Sequence, residues 1–229
     1  MNNSDSPQCY RTVGRDAVAE LVIDKSRFIA AVGRAADEAA AVAFIADVRK
    51  RHWHATHNCS AFRVGLEVET QRSSDDGEPA GTAGKPILES LHRHGVRNVV
   101  VVVTRYFGGI KLGAGGLIRA YGAAAQAGIR AAGIVERARH LVLEIRCAYA
   151  DWHRLERELR RAGHLQPPAF AETVTARVLV APADADALRR HVADLTAGTA
   201  DIHAAGFEFI ERPLEPAGGI SANPDVSPS

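Results

Sequence analysis

Residues 98–122 read "NVVVVVTRYFGGIKLGAGGLIRAYG". Five consecutive valines, Val99 to Val103, predict a strand buried on both faces. Behind it, Tyr106 to Gly122 holds six glycines. The Ala-rich stretch "LIRAYGAAAQAGIRAA" then predicts a helix to about Ala132, stopped by Gly133. A strand, a glycine loop and a helix start present backbone N–H groups at a positive helix end. Arg105, Lys111 and Arg119 flank that end with side-chain charge. The stretch is not a Walker loop, because Ala114 stands where Lys should follow Gly108 and Gly113. Nor is it a dinucleotide fingerprint, since Gly113 and Gly115 lead to Ile118 in place of a third glycine. Each glycine in a helix costs roughly 1 kcal/mol relative to Ala, so the loop has a reason. One reason is close approach of a phosphate. The other is a thin helix lying tight on a sheet through Gly122, Ala123, Ala124, Ala125 and Gly128.

Upstream of this stretch, "AVAELVIDKSRFIAAVG" predicts two strands around a turn near Asp24 to Arg27. "DEAAAVAFIADVRKRH" predicts a helix with Asp37 as N-cap and Lys50 and Arg51 in its last turn. "NCSAFRVG" and "LEVETQ" form a strand pair around Gly65, followed by a loop, "RSSDDGEPAGTAGK". Pro86 opens a short helix, "PILESLHRH", closed by Gly95. Downstream, "HLVLEIRCAY", "TVTARVLVA" and "IHAAGFEFIE" alternate as strands, and "HLQPPAF" allows a very short strand or turn. Between them lie helices over "DWHRLERELRRAG" and "PADADALRRHVADLTAG". From His140 the order is β-α-β-β-α-β, the ferredoxin-like plan. The expected organisation is a disordered leader over 1–9, a first domain over 10–138, a ferredoxin-like domain over 139–212 and a disordered tail over 213–229.

The chain has 229 residues, 24% of them charged, and a net charge of +1. Charge is sorted along it: residues 1–139 net +5 and residues 140–211 net −3. Residues 85–130 carry seven bases and one acid, Glu89, directly after an acidic run over 67–78. That pattern suggests an anionic partner. No window is apolar enough to span a bilayer, and the N-terminus lacks a signal-peptide core. The expectation is a cytoplasmic protein without a membrane role. Cys9, Cys59 and Cys147 make no CxxC and no disulfide framework.

Two further clusters carry candidate chemistry. In "SDDGEPAGTAGKP", Ser74 to Pro86, the acids Asp75, Asp76 and Glu78 have the hard oxygens that Mg²⁺ takes. Asp-Gly and Glu-Pro are also ordinary turn chemistry, and an acidic turn is the reading adopted. "HWHATHNC" groups His52, His54, His57 and Cys59 without zinc spacing. His57 and Cys59 can share a strand face, so a Cys–His nucleophile pair stays open beside the commoner buried strand cysteine.

The two long motifs, "SDDGEPAGTAGKP" and "RYFGGIKLGAGGLIRAYG", with "ATHNCSAFRVG" in support, resemble the IMPACT family in its two-domain bacterial, YigZ-like branch. The resemblance covers roughly residues 10–211. It implies an α+β protein: a first domain with a βαβ unit of ribosomal-protein and elongation-factor type, and a second similar to domain V of elongation factor G. It implies a non-enzymatic regulator of translation, with RNA or the ribosome as partner, a protein partner as a further option, and neither catalytic residues, metal nor cofactor. The expected binding residues are Arg105, Tyr106, Phe107, Gly108, Gly109, Lys111, Gly113, Gly115, Gly116, Arg119 and Tyr121, the cations on phosphates and the aromatics on bases. The acidic motif loop contributes Asp75, Asp76, Gly77, Glu78, Pro79, Gly81, Thr82, Gly84 and Lys85. The alternatives are a metal-assisted phosphoryl-transfer or nucleotide-processing enzyme using the three acids, and a protein-interaction module. The two glycine-dense loops are expected to meet in one groove.

Overall fold

The computed structural model describes residues 8–214. The chain begins with β1 (Cys9–Val13), β2 (Ala17–Ile23), β3 (Ser26–Arg34), α1 (Glu38–Arg51), β4 (His57–Val64) and β5 (Thr70–Ser74). It continues with α2 (Gly84–His94), β6 (Val99–Tyr106), α3 (Gly113–Ala132) and β7 (Ile134–Cys147). Then come α4 (Tyr149–Ala162), the two-residue strands β8 (His164–Leu165) and β9 (Ala169–Phe170), β10 (Val174–Val180), α5 (Ala185–Leu195) and β11 (Asp201–Pro213).

The strands form two antiparallel sheets, and the protein is α+β with two domains. The first sheet has the order β2-β3-β6-β4-β5, which puts the valine strand at its centre. Side chains alternate along a strand, and the five valines divide accordingly. Val99, Val101 and Val103 enter a core with Ile87 and Leu91 of α2 and Leu117, Tyr121 and Ile129 of α3. Val100 and Val102 face α1, against Ala41, Val48, Phe62 and Val64. The sheet is therefore covered on both faces. The thin helix α3 lies close on β3: a Cβ at Gly128 would stand 2.7 Å from Val32 Cγ2. Gly122 plays no such part, because the space for its Cβ is open.

Local signals set some element ends. Asp37 caps α1 by accepting from Ala40 N at 2.8 Å. Gly95 ends α2 in the left-handed conformation, φ 64°. The start of α2 differs from the expectation at Pro86: the helix begins two residues earlier, at Gly84. A side chain from outside the helix, Asp75, receives the backbone N–H groups of Ala83 and Gly84 and makes the earlier start stable.

The second sheet has β7 at its centre, with β11 along one edge and β10, then β8, beyond the other. Helices α4 and α5 cover one face through Trp152, Leu155, Leu159, Leu188 and Val192, against Leu143, Ile145 and Val178. Over β7 to β11 the order is β-α-β-β-β-α-β, one strand more than the β-α-β-β-α-β read from the sequence, because the stretch read as a very short strand or turn holds two two-residue strands, β8 and β9, that pair separately with β10.

β1 belongs to this second sheet, although its residues read as part of a polar leader and the start of the first domain. It pairs with the first half of β7, Cys9 opposite Ala138 and Val13 opposite Ile134. β11 pairs along nearly the whole of β7, from Asp201–Arg146 to Pro213–Val135. The expected boundary between residues 138 and 139 thus falls inside one continuous strand. Of the expected leader and tail, residues 1–7 and 215–229 lie outside the described residues, while Cys9 and Pro213 are the ends of strands. Among the described residues no helix is long and apolar enough to cross a membrane.

Candidate functional site

The acidic loop is built around one carboxylate. Asp75 accepts from Gly81 N at 2.8 Å, Ala83 N at 3.0 Å and Gly84 N at 2.8 Å. Burial works to raise its pKa, but the three backbone donors outweigh it and hold the carboxyl below its ordinary range. Asp76 sits at φ 44°, before Gly77 at φ 88°. Its carboxylate accepts from Asn58 N at 2.6 Å and from Arg49 Nη2 at 2.6 Å. Thr82 closes the turn by donating from Oγ1 to Pro79 O at 2.7 Å, and Gly84 is required because a Cβ there would stand 2.8 Å from Ser74 backbone. Asp75 and Asp76 are thus held by separate protein partners, which argues against the pair as shared metal ligands. Among the described residues no group of three or more His, Cys, Asp or Glu gathers as a metal site.

Glu78, the third acid, turns inward. Its Oε1 accepts from Arg105 Nη1 at 2.7 Å and from Tyr121 Oη at 2.8 Å, with His57 Nε2 3.9 Å away. The side chains of Glu78 and Arg105 are 3% and 7% exposed. A buried charge needs such a partner, and removing either one leaves the other uncompensated. Arg105 also donates from Nη2 to Ser26 Oγ at 3.4 Å, and its Nε is buried without a hydrogen-bond partner among the described residues. Cys59 lies beneath this group, donating from Sγ to Asp75 O at 2.9 Å. Burial pushes its thiol up to about 12, so it is a protonated core residue and the Cys–His nucleophile reading fails.

The glycine loop leaves β6 over the β2–β3 turn. Phe107 N donates to Thr56 Oγ1 at 3.0 Å and Gly108 N to Ser26 Oγ at 3.2 Å. A Cβ at Gly108 would overlap the Lys25 carbonyl, so glycine there permits the close approach of two backbones. Gly109 and Gly113 have φ values of 87° and 69°. At Gly116 a Cβ would stand 2.9 Å from Leu112 Cβ, while at Gly115 it would meet only Arg119 Nη1 at 3.5 Å. Leu112 is the N-cap of α3 and supplies no side-chain cap, and among the described residues no side-chain hydrogen bond is made to the N–H groups of the helix's first turn.

The two loops meet, as the sequence led us to expect. They enclose a cleft of about 330 Å³ lined by Glu78 and Pro79 from one, and by Phe107, Lys111, Leu112, Gly113 and Ala114 from the other. Arg105 and Leu117 also line it, with Thr56 and His57 from the β4 side. The remaining site residues scatter. Tyr121 is fully buried, so its ring is core and offers no face to a base. Tyr106 points to the opposite side of the sheet, where its hydroxyl meets His52 Nδ1 at 2.8 Å. Arg119 and Lys85 are exposed but do not line the cleft. Thr56, Leu112 and Leu117 were not among the expected binding residues, and His57 was read only as half of a Cys–His pair. The antiparallel register that sets His57 opposite Arg105 is the signal that places it there.

Comparison with known proteins agrees with this division. Residues 24–129 match the model of the Impact N-terminal domain, and residues 145–199 match a domain of unknown function, DUF1949. The chain is 41% identical over 204 residues to "IMPACT family member YvyE" of Bacillus subtilis (strain 168), covering 89% of this chain and 94% of that protein. It is 47% identical over 110 residues to "IMPACT family member YigZ" of Escherichia coli (strain K12), covering 47% and 54% respectively. A crystal structure described as that of a hypothetical protein is 32% identical, with a TM-score of 0.59 over 86% of this chain and 98% of its own.

Proposed function

The chain belongs to the IMPACT family, as a two-domain member similar to YvyE and YigZ, and on that premise we propose that it is a cytoplasmic regulator of translation that binds RNA through the cleft of its first domain. The link to translation is what the family resemblance implies. The observation that carries RNA binding is the convergence on one cleft of three features: exposed Lys111, the uncapped first turn of α3, and the buried Arg105. A helix N-terminus favours anions through its N–H groups and its dipole, and Lys111 adds a cation at the mouth. The strand order of the second domain supports reading it as a ferredoxin-like unit of the elongation factor G domain V kind, carried beside the RNA site. Because a fold alone does not carry function, the argument rests on the cleft.

The test is binding of labelled single-stranded RNA and of ribosomes at rising salt. Affinity is expected to fall steeply, because neutralised phosphates release counterions. Lys111→Ala is expected to weaken binding to all sequences alike and to flatten the salt slope by roughly 1. Arg119→Ala, outside the lining, is expected to do less. Unchanged RNA and ribosome binding in Lys111→Ala, with the fold intact, would place the interface elsewhere.

A further inference from the structure

We propose that the cleft takes one unstacked nucleotide, its phosphate on Lys111 and the open turn of α3, and its base against Phe107 and the buried Arg105–Glu78 pair. The inference rests on the RNA-binding reading and names the unit of RNA that the site holds.

Size is the first argument. About 330 Å³ lies at the small end of ligand pockets, roughly 300–1,000 Å³. It suits one nucleotide better than the broad backbone surface of a duplex. The walls are the second. Pro79, Phe107, Leu112 and Leu117 make them largely apolar, as a base requires and a bare phosphate does not. Arg105 lies over the Phe107 ring, 5.4 Å from its centroid, and Phe107 is still 47% exposed. An aromatic side chain so placed can stack on a base of any sequence.

The polar groups are the third argument. Glu78 and Ser26 receive two of the five N–H donors of Arg105, and its Nε is buried with no partner among the described residues. A guanidinium with uncommitted donors therefore stands beside a carboxylate acceptor. Mixed donors and acceptors are what the edge of a base presents. A phosphate lodged against Glu78 would instead meet a like charge. The anion is better placed at the mouth, where Lys111 and the first turn of α3 offer donors. A duplex keeps its base edges in the stack, whereas a single strand can turn one base out into such a cleft.

The experiment uses the full chain and three sets of probes: the four nucleoside 5′-monophosphates, the four nucleosides, and inorganic phosphate. Binding is followed by calorimetry, by the amide signals of Gly113, Gly115 and Gly116, and by competition with a labelled single strand. The monophosphates are expected to bind at least about tenfold more tightly than either the nucleosides or phosphate alone, and to displace the strand. Phe107→Ala should lower monophosphate affinity about tenfold and leave phosphate binding unchanged, while Lys111→Ala should weaken both. Arg105→Ala strips a buried carboxylate of its partner and is expected to damage the fold, so the conclusion depends on the other two variants. Equal affinity for phosphate and for monophosphates would mean an anion subsite only and would overturn the proposal. RNA binding without binding of any small probe would overturn it too, leaving the RNA reading in place. Absence of RNA binding at every salt concentration would remove both.

Discussion

Asp75 caps a helix that starts nine residues after it. Its carboxylate receives N–H groups of Gly81, Ala83 and Gly84, a task usually done by the residue that precedes the helix. Asp75→Ala is therefore expected to destabilise the protein by about 1–2 kcal/mol, measured by urea denaturation. The depressed pKa fixes the pH dependence. A carboxyl with a lower pKa in the folded state contributes stability above its unfolded value, about 3.9, and that contribution is lost as pH falls through the folded value. Wild type should lose this share of stability as pH is lowered below about 4. Asp75→Asn should lack it already at neutral pH and show a shallower acid dependence. The glycines separate just as clearly. Gly108→Ala forces a methyl into the Lys25 carbonyl and is expected to cost about 1–3 kcal/mol. Gly122→Ala, in the open interior of α3, is expected to gain up to about 1 kcal/mol. Thermal melts of the two variants should move in opposite directions.

Among the elements, β7 does the most joining. Its 14 residues pair with β1, β10 and β11, so it serves the second core and also anchors β1, whose Val13 reaches into the first core. A fragment that starts at His140 keeps the apolar core of the second domain but leaves Phe209 to Pro213 without their β7 partners, Arg139 to Val135. A fragment that starts at Ile134 keeps them. Both are expected to unfold cooperatively, because the residues of that core all lie beyond position 140. The shorter fragment should melt several degrees lower, as loss of roughly 1 kcal/mol shifts a domain of this size by about 4–8 °C. Calorimetry of the pair checks this, and equal melting temperatures would show that the ends of β7 and β11 contribute little.

Across the whole molecule, β1 fastens one domain to the other. Val13 is buried in the first core, while Tyr10 packs edge-on against Phe209 of β11 with centroids 5.1 Å apart. Arg34 of β3 donates to Val13 O at 2.6 Å and pairs with Glu211. With these ties the full chain is expected to unfold in a single calorimetric transition. Removal of residues 1–13 should split it in two, the first domain melting earlier because Val13 is lost. A single sharp transition in the truncated chain would mean that the rest of the β7–β11 pair is enough to couple the domains.

The sequence by itself determined the features that local physics controls. An unbroken apolar run placed Val99 to Val103 in a strand covered on both faces, and cap chemistry placed Asp37, Gly95 and Gly133 at helix ends. The strand–glycine loop–helix passage was legible because Gly109 and Gly113 need positive φ where they stand. Even the meeting of the two loops followed from their shared glycine density. Tertiary structure alone decided which of the candidate groups face the cleft. Tyr106 and Tyr121 look alike as aromatic neighbours of the loop, yet one lies on the far side of the sheet and the other inside the core. Asp75, Asp76 and Glu78 form one acidic run but were sent to a helix cap, to Arg49 and to Arg105. Strand β1 found its partner about 125 residues away. Each of these outcomes depends on contacts between segments distant in the chain, for which neighbouring residues carry no periodic or capping signal.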